Sequence, residues 1–122
     1  MFHSYYVAYT AIYHVWGVAL SGYVELKVPR SGLQVLLRAI EAKARRLELE
    51  ITATLSRIRM FEEKYGMKSE EFLSRYMRGE LGDREEYMEW YGELVFLEKA
   101  RKELEELKKI AGTASPRIPG KG

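Results

Sequence analysis

Apolar positions between Leu33 and Tyr65 recur at alternating intervals of four and three: Leu33, Leu37, Ile40, Ala44, Leu47, Ile51, Thr54, Ile58, Phe61 and Tyr65. This spacing places all of them on one stripe of an α-helix, and its length, more than four heptads, is that of a seam between two helices. Neither glycine nor proline interrupts the chain between Leu33 and Tyr65. At 1.5 Å per residue such a rod measures about 50 Å, and a rod cannot bury a stripe against itself. A partner helix is required. The chain holds a matching stripe at Tyr87, Trp90, Leu94, Leu97, Ala100, Leu104, Leu107 and Ala111. Between the two, Phe72, Leu73, Tyr76 and Met77 form the apolar side of a short helix.

Helix-end signals divide these stripes. Ser31 stands three residues before Gln34, and Asp83 three before Glu86, both spacings of a capping box. Ser69 can cap the short helix, with Glu70 and Glu71 complementing its positive end. Gly66 suits a left-handed C-terminal cap, Gly79 and Gly82 bracket a turn, and Lys108 and Lys109 suit the negative end of the last helix. Ahead of the first helix, Val24, Leu26 and Val28 alternate with Tyr23, Glu25 and Lys27, the period of a half-buried strand that Pro29 ends. The expected fold is all-α. It is a long, coiled-coil-like antiparallel helical hairpin with a short helix at the bend and a short N-terminal strand or arm. Leu36, Leu49, Leu55, Phe96 and Ile110 are left over by two helices, which predicts a homodimer or a hetero-oligomer.

Length and charge refine this picture. The 122 residues carry a net charge of +2, enough chain for one domain and too little for a two-domain enzyme. Residues 1–24 hold no Asp, Glu, Lys or Arg but seven of the fifteen aromatics. Residues 1–22 are therefore read as an uncharged arm, either packed or membrane-associated, or as an extension ahead of a start at Val18 or Val24. A secretory leader is disfavoured by the missing positive charge at its front. Residues 23–111 form the helical domain, and 112–122, with two prolines and three glycines, a disordered tail. Within the domain the sign of charge changes: residues 25–60 sum to +4 and residues 61–98 to −6. The chain is placed in the cytoplasm, or at a membrane through its arm.

Catalytic chemistry finds little support. The absence of cysteine excludes disulfides and thiolate metal sites. His3 and His14 lack neighbouring ligands, and no glycine-rich phosphate loop is present. The paired carboxylates Glu62/Glu63, Glu70/Glu71 and Glu85/Glu86 fall on charged surfaces or helix ends. No catalytic residue, metal or cofactor is assigned. Binding is the better class. Phe61, Glu62, Tyr65, Tyr76, Glu86 and Trp90 combine aromatic anchors with acidic neighbours suited to a basic partner.

Two family resemblances bear on the partner. The strand and capped helix of YVELKVPRSGLQVLLRAIEAKARR resemble the opening of ribbon-helix-helix DNA-binding proteins, which implies DNA contacts at Lys27, Arg30 and Arg38. That family turns after about a dozen helical residues, whereas this helix continues. The run from Phe61 to Phe72 (FEEKYGMKSEEF), then GELGD at 79–83 and Glu89-Trp90, is similar to small helical antitoxin-like proteins of archaea and some bacteria. These are encoded beside a predicted ribonuclease-like toxin. That resemblance covers about residues 24–111 and implies a cognate toxin as partner.

Overall fold

The computed structural model describes residues 22–114. The expectations for the aromatic arm, a membrane segment or an alternative start, and for the tail beyond Ala114, lie outside the described residues. The chain divides into two units, 1–33 and 34–122.

In the first unit, residues 23–29 are exposed and take neither helix nor strand. The predicted strand is not formed in the single chain. Alternating side chains need a second strand to complete a ladder, and none exists among the described residues. Pro29, at φ −56° and ψ 139°, stands in extended backbone. Its carbonyl accepts the Gly32 N–H at 2.9 Å, opening a 3₁₀ turn over Arg30–Gly32. Ser31 lies inside this turn, so the expected Ser31–Gln34 box gives way to a start made by backbone.

Three helices follow: α1, Leu33–Tyr65; α2, Ser69–Met77; and α3, Glu85–Ala114. Along α1 the seam positions Leu47, Thr54 and Ile58 are buried, and Leu37, Ile40, Ala44, Ile51, Phe61 and Tyr65 are half-buried. Along α3, Trp90, Leu97 and Ala100 are buried, and Tyr87, Leu94, Leu104, Leu107 and Ala111 half-buried. Cross-helix ion pairs fix the direction. Lys43 meets Glu103 and Glu48 meets Lys108, while further along α1 Arg57 meets Glu93 and Lys64 meets Glu86. The first half of α1 meets the later part of α3 and the end of α1 meets its beginning, so the two helices run antiparallel. Full burial of a large apolar side chain contributes about 1.5–3 kcal/mol, and in this hairpin it concentrates toward the bend. Of the surplus residues, Leu49, Phe96 and Ile110 are exposed, whereas Leu36 and Leu55 are half-buried.

Helix ends follow the glycines closely and the expected polar caps poorly. Gly66 takes φ +64°, and the Met67 N–H reaches back to the Glu62 carbonyl at 3.3 Å. Gly79 takes φ +72° and closes α2 with two bonds of 3.0 Å, Gly79 N–H to the Tyr76 carbonyl and Glu80 N–H to the Arg75 carbonyl. Both are left-handed stops that a Cβ would strain. At the start of α2 the cap residue is Lys68, and Ser69 is the first helical residue. At the start of α3 the Arg84 carbonyl accepts from Tyr87 and Met88. The Asp83–Glu86 box is replaced because Glu86 is drawn across to α1. Helix α3 also continues past Ala111 to Ala114, beyond the predicted boundary of the tail.

Candidate interaction surface

Where α1 hands over to α2, seven aromatic rings gather. Phe72 and Trp90 are fully buried and stack with centroids 3.9 Å apart and planes within 8°. Phe61 stacks on Trp90 at 5.7 Å, and Tyr65 lies 6.0 Å from Trp90 and 5.1 Å from Tyr87. On the other side Tyr76 stacks between Phe72, at 5.3 Å, and Tyr91, at 5.2 Å. Offset aromatic pairs contribute about 0.5–1.5 kcal/mol each beyond their buried area. Rings thereby pin the short helix to α3, and α3 to α1.

Two polar knots reinforce the pin. Glu62 on α1 accepts both the backbone N–H and the hydroxyl of Ser69 at 2.8 Å, and the same hydroxyl oxygen accepts the Trp90 indole N–H at 3.1 Å. A carboxylate at a helix start satisfies an orphan donor and complements the dipole. Here it arrives from another helix, which explains why Ser69 need not cap its own. In the second knot, Glu86 accepts from the Lys64 ammonium at 2.7 Å and from the Tyr65 hydroxyl. The Lys64 hydrogen bond, then that of Tyr65, holds the Glu86 carboxyl below its ordinary value. The same bond to Glu86 holds Lys64 above its ordinary range. Arg84 lies over the Tyr65 and Tyr87 rings, 6.0 and 5.5 Å from their centroids.

This arrangement sorts the candidate partner-binding residues. Trp90 has no exposed surface and serves as the keystone of the bend. Glu62 and Glu86 are half-buried with their oxygens committed to Ser69, Lys64 and Tyr65. Phe61, Tyr65 and Tyr76 are half-buried. The acids that face solvent are different ones: Glu63, Glu70, Asp83, Glu85 and Glu89 are exposed and without an ion-pair partner among the described residues. One signal in the sequence could have found them. Glu85 and Glu89 repeat the same charge at i and i+4 on α3, an arrangement that destabilises an isolated helix by a few tenths of a kcal/mol.

The candidate DNA contacts are divided between the two units. Lys27 and Arg30 are exposed in the first unit and Arg38 is exposed on α1. The concave surfaces of the hairpin are shallow, one bordered by Arg101, Leu104 and Lys108 and another by Arg59, Glu63 and Lys68. Among the described residues no group of three or more acidic or histidine side chains is placed to hold a metal ion. No described helix is long and apolar enough to cross a membrane. Compared with known proteins, the chain matches no family, no curated protein and no solved structure.

Proposed function

We propose that this protein is a non-enzymatic, antitoxin-like partner that binds and masks a basic toxin, of the ribonuclease kind, through the acidic rim of its bend. The observation that carries this reading is the set of exposed, unpaired acids, Glu63, Glu70, Asp83, Glu85 and Glu89, around a rigid aromatic core. A rim already neutralised by its own lysines would have no electrostatic reason to attract a basic surface. Here Glu85 and Glu89 stand at i and i+4 on α3, and neither has an ion-pair partner among the described residues. Complementary charge of this type accelerates encounter and selects partners. The half-buried Phe61, Tyr65 and Tyr76 supply apolar anchors beside it. A DNA-binding role would require strands paired between two copies, and a membrane scaffold would rest on the arm ahead of Gly22; neither gains an observation from the hairpin.

The test is co-purification with the product of the neighbouring small reading frame. Binding is expected to weaken steeply as salt rises from about 0.05 to 0.5 M, and to fall about tenfold or more with Glu85→Lys/Glu89→Lys. A neighbour that binds independently of salt and of these substitutions, or does not bind, removes the proposal.

A further inference from the structure

The seam of α1 is occupied by α3, yet the opposite side of α1 carries a second heptad pattern. Val35, Ala42, Leu49 and Ser56 recur every seven residues, and Ala39, Arg46, Ala53 and Met60 alternate with them at the same interval. Every one of these eight is exposed. Val35, Leu49 and Met60 leave 60%, 73% and 65% of their surface in water. Six of the eight are apolar, three of them alanines, a stripe that suits a close helical neighbour and has none within the hairpin.

Charge identifies the neighbour. Arg38, Arg45 and Arg59 recur at heptad intervals along one flank of this second stripe, and Arg46 stands within it. None of these four arginines has an ion-pair partner among the described residues, whereas Lys43, Arg57 and Lys64, nearer the seam, are all paired with α3. A second copy of the chain fits badly here. Parallel pairing sets Arg46 against its own counterpart inside the stripe, and the antiparallel registers that match stripe to stripe bring Arg38 or Arg45 opposite Arg59. A nucleic acid would match the arginines but leave Val35, Leu49 and Met60 facing phosphates and water. An amphipathic helix with an apolar stripe and acidic flanks satisfies both features.

We infer that the outer face of α1 is a second docking surface, distinct from the acidic bend, which takes an acidic amphipathic helix of another protein as a third helix beside α1. The inference stands apart from the toxin-masking role, because the two surfaces share no residue and have opposite sign. The chain then joins a basic surface at its bend to an acidic helix along its rod.

The probe is a peptide of roughly four heptads with leucine at a and d and glutamate at e and g, compared with its lysine counterpart. Repulsion keeps each peptide largely unfolded alone, so a gain of helicity by circular dichroism reports binding to the full chain. The glutamate peptide is expected to gain helix and the lysine peptide not to. Leu49→Asp is expected to weaken binding about tenfold or more, and Arg45→Glu/Arg46→Glu to exchange the preference between peptides. All three sites are exposed, so the denaturation midpoint of the chain checks that these variants remain folded. Glu85→Lys/Glu89→Lys is expected to leave the peptide affinity unchanged, which separates this surface from the bend. Equal binding of both peptides, or indifference to Leu49→Asp, overturns the inference. So does sedimentation as a dimer that Leu49→Asp dissolves.

Discussion

Glu86 shows how a single side chain can be read from sequence in kind and misread in role. Its charge and its place near a helix start were legible, and both suited a capping box with Asp83. Lys64 and Tyr65, distant in sequence, out-competed that local use because a charge-assisted bond to an ammonium is stronger than a local cap. The consequence is measurable. A carboxyl held below its ordinary value of 4.5 stabilises the fold above that value, and its contribution is lost as pH falls through the lowered one. Lys64 contributes in the opposite window: its stabilisation is present below 10.5 and lost as pH rises through its raised value. Urea midpoints of the native chain and Glu86→Gln should therefore differ near neutrality and converge as pH falls through the lowered value. A constant difference would mean that the carboxylate and Lys64 do not pair in solution. Trp90 follows the same logic. Its aromatic character suggested an anchor for a partner, but only the stacking of Phe61 and Phe72 on it decides that the ring lies inside. Solvent exposure of an aromatic residue depends on neighbours contributed by other helices, so no local pattern could assign it.

At the level of helices, period and punctuation were the legible features. The stripes from Leu33 to Tyr65 and from Tyr87 to Ala111 are the positions that the hairpin buries or half-buries, Leu33 excepted, because a 3.5-residue interval admits only one face. The glycine stops at Gly66 and Gly79 were legible for an equally local reason, since a left-handed residue is required and glycine adopts it freely. The polar starts were not, because Ser69 is satisfied by Glu62 of the preceding helix and the carbonyls of Pro29 and Arg84 open the others. The alternation at 23–30 specifies a face but not a second strand, and residues 23–29 take neither helix nor strand. Helix α3 also carries an avoidable weakness at Gly92, an exposed interior glycine whose added Cβ would meet nothing within 4 Å. Gly92→Ala should stabilise the protein by about 0.5–1 kcal/mol, measured by chemical denaturation. A loss of stability would place that position against an unrecognised neighbour.

For the molecule as a whole, the second unit is a hairpin with unequal ends. Rings and polar knots lock the bend, while toward the other end Leu37, Ile40, Leu104 and Leu107 are only half-buried and Leu33 is exposed. Two helices cover each other on one side only, so the rest of each rod remains available for association. The functional account rests on that geometry: a fixed acidic bend and a long outward face exist only if α1 and α3 lie side by side. The most direct test uses the absence of native cysteine. Spin labels at Lys43→Cys and Glu103→Cys, diluted into unlabelled protein to suppress contacts between molecules, report the separation of the two rods by electron–electron double resonance. Helices packed about 8–10 Å apart predict a single short separation, broadened only by the label tethers. An opened, continuous helix would place the labels on the order of 90 Å apart, and a dominant long separation would contradict the hairpin together with the surfaces built on it.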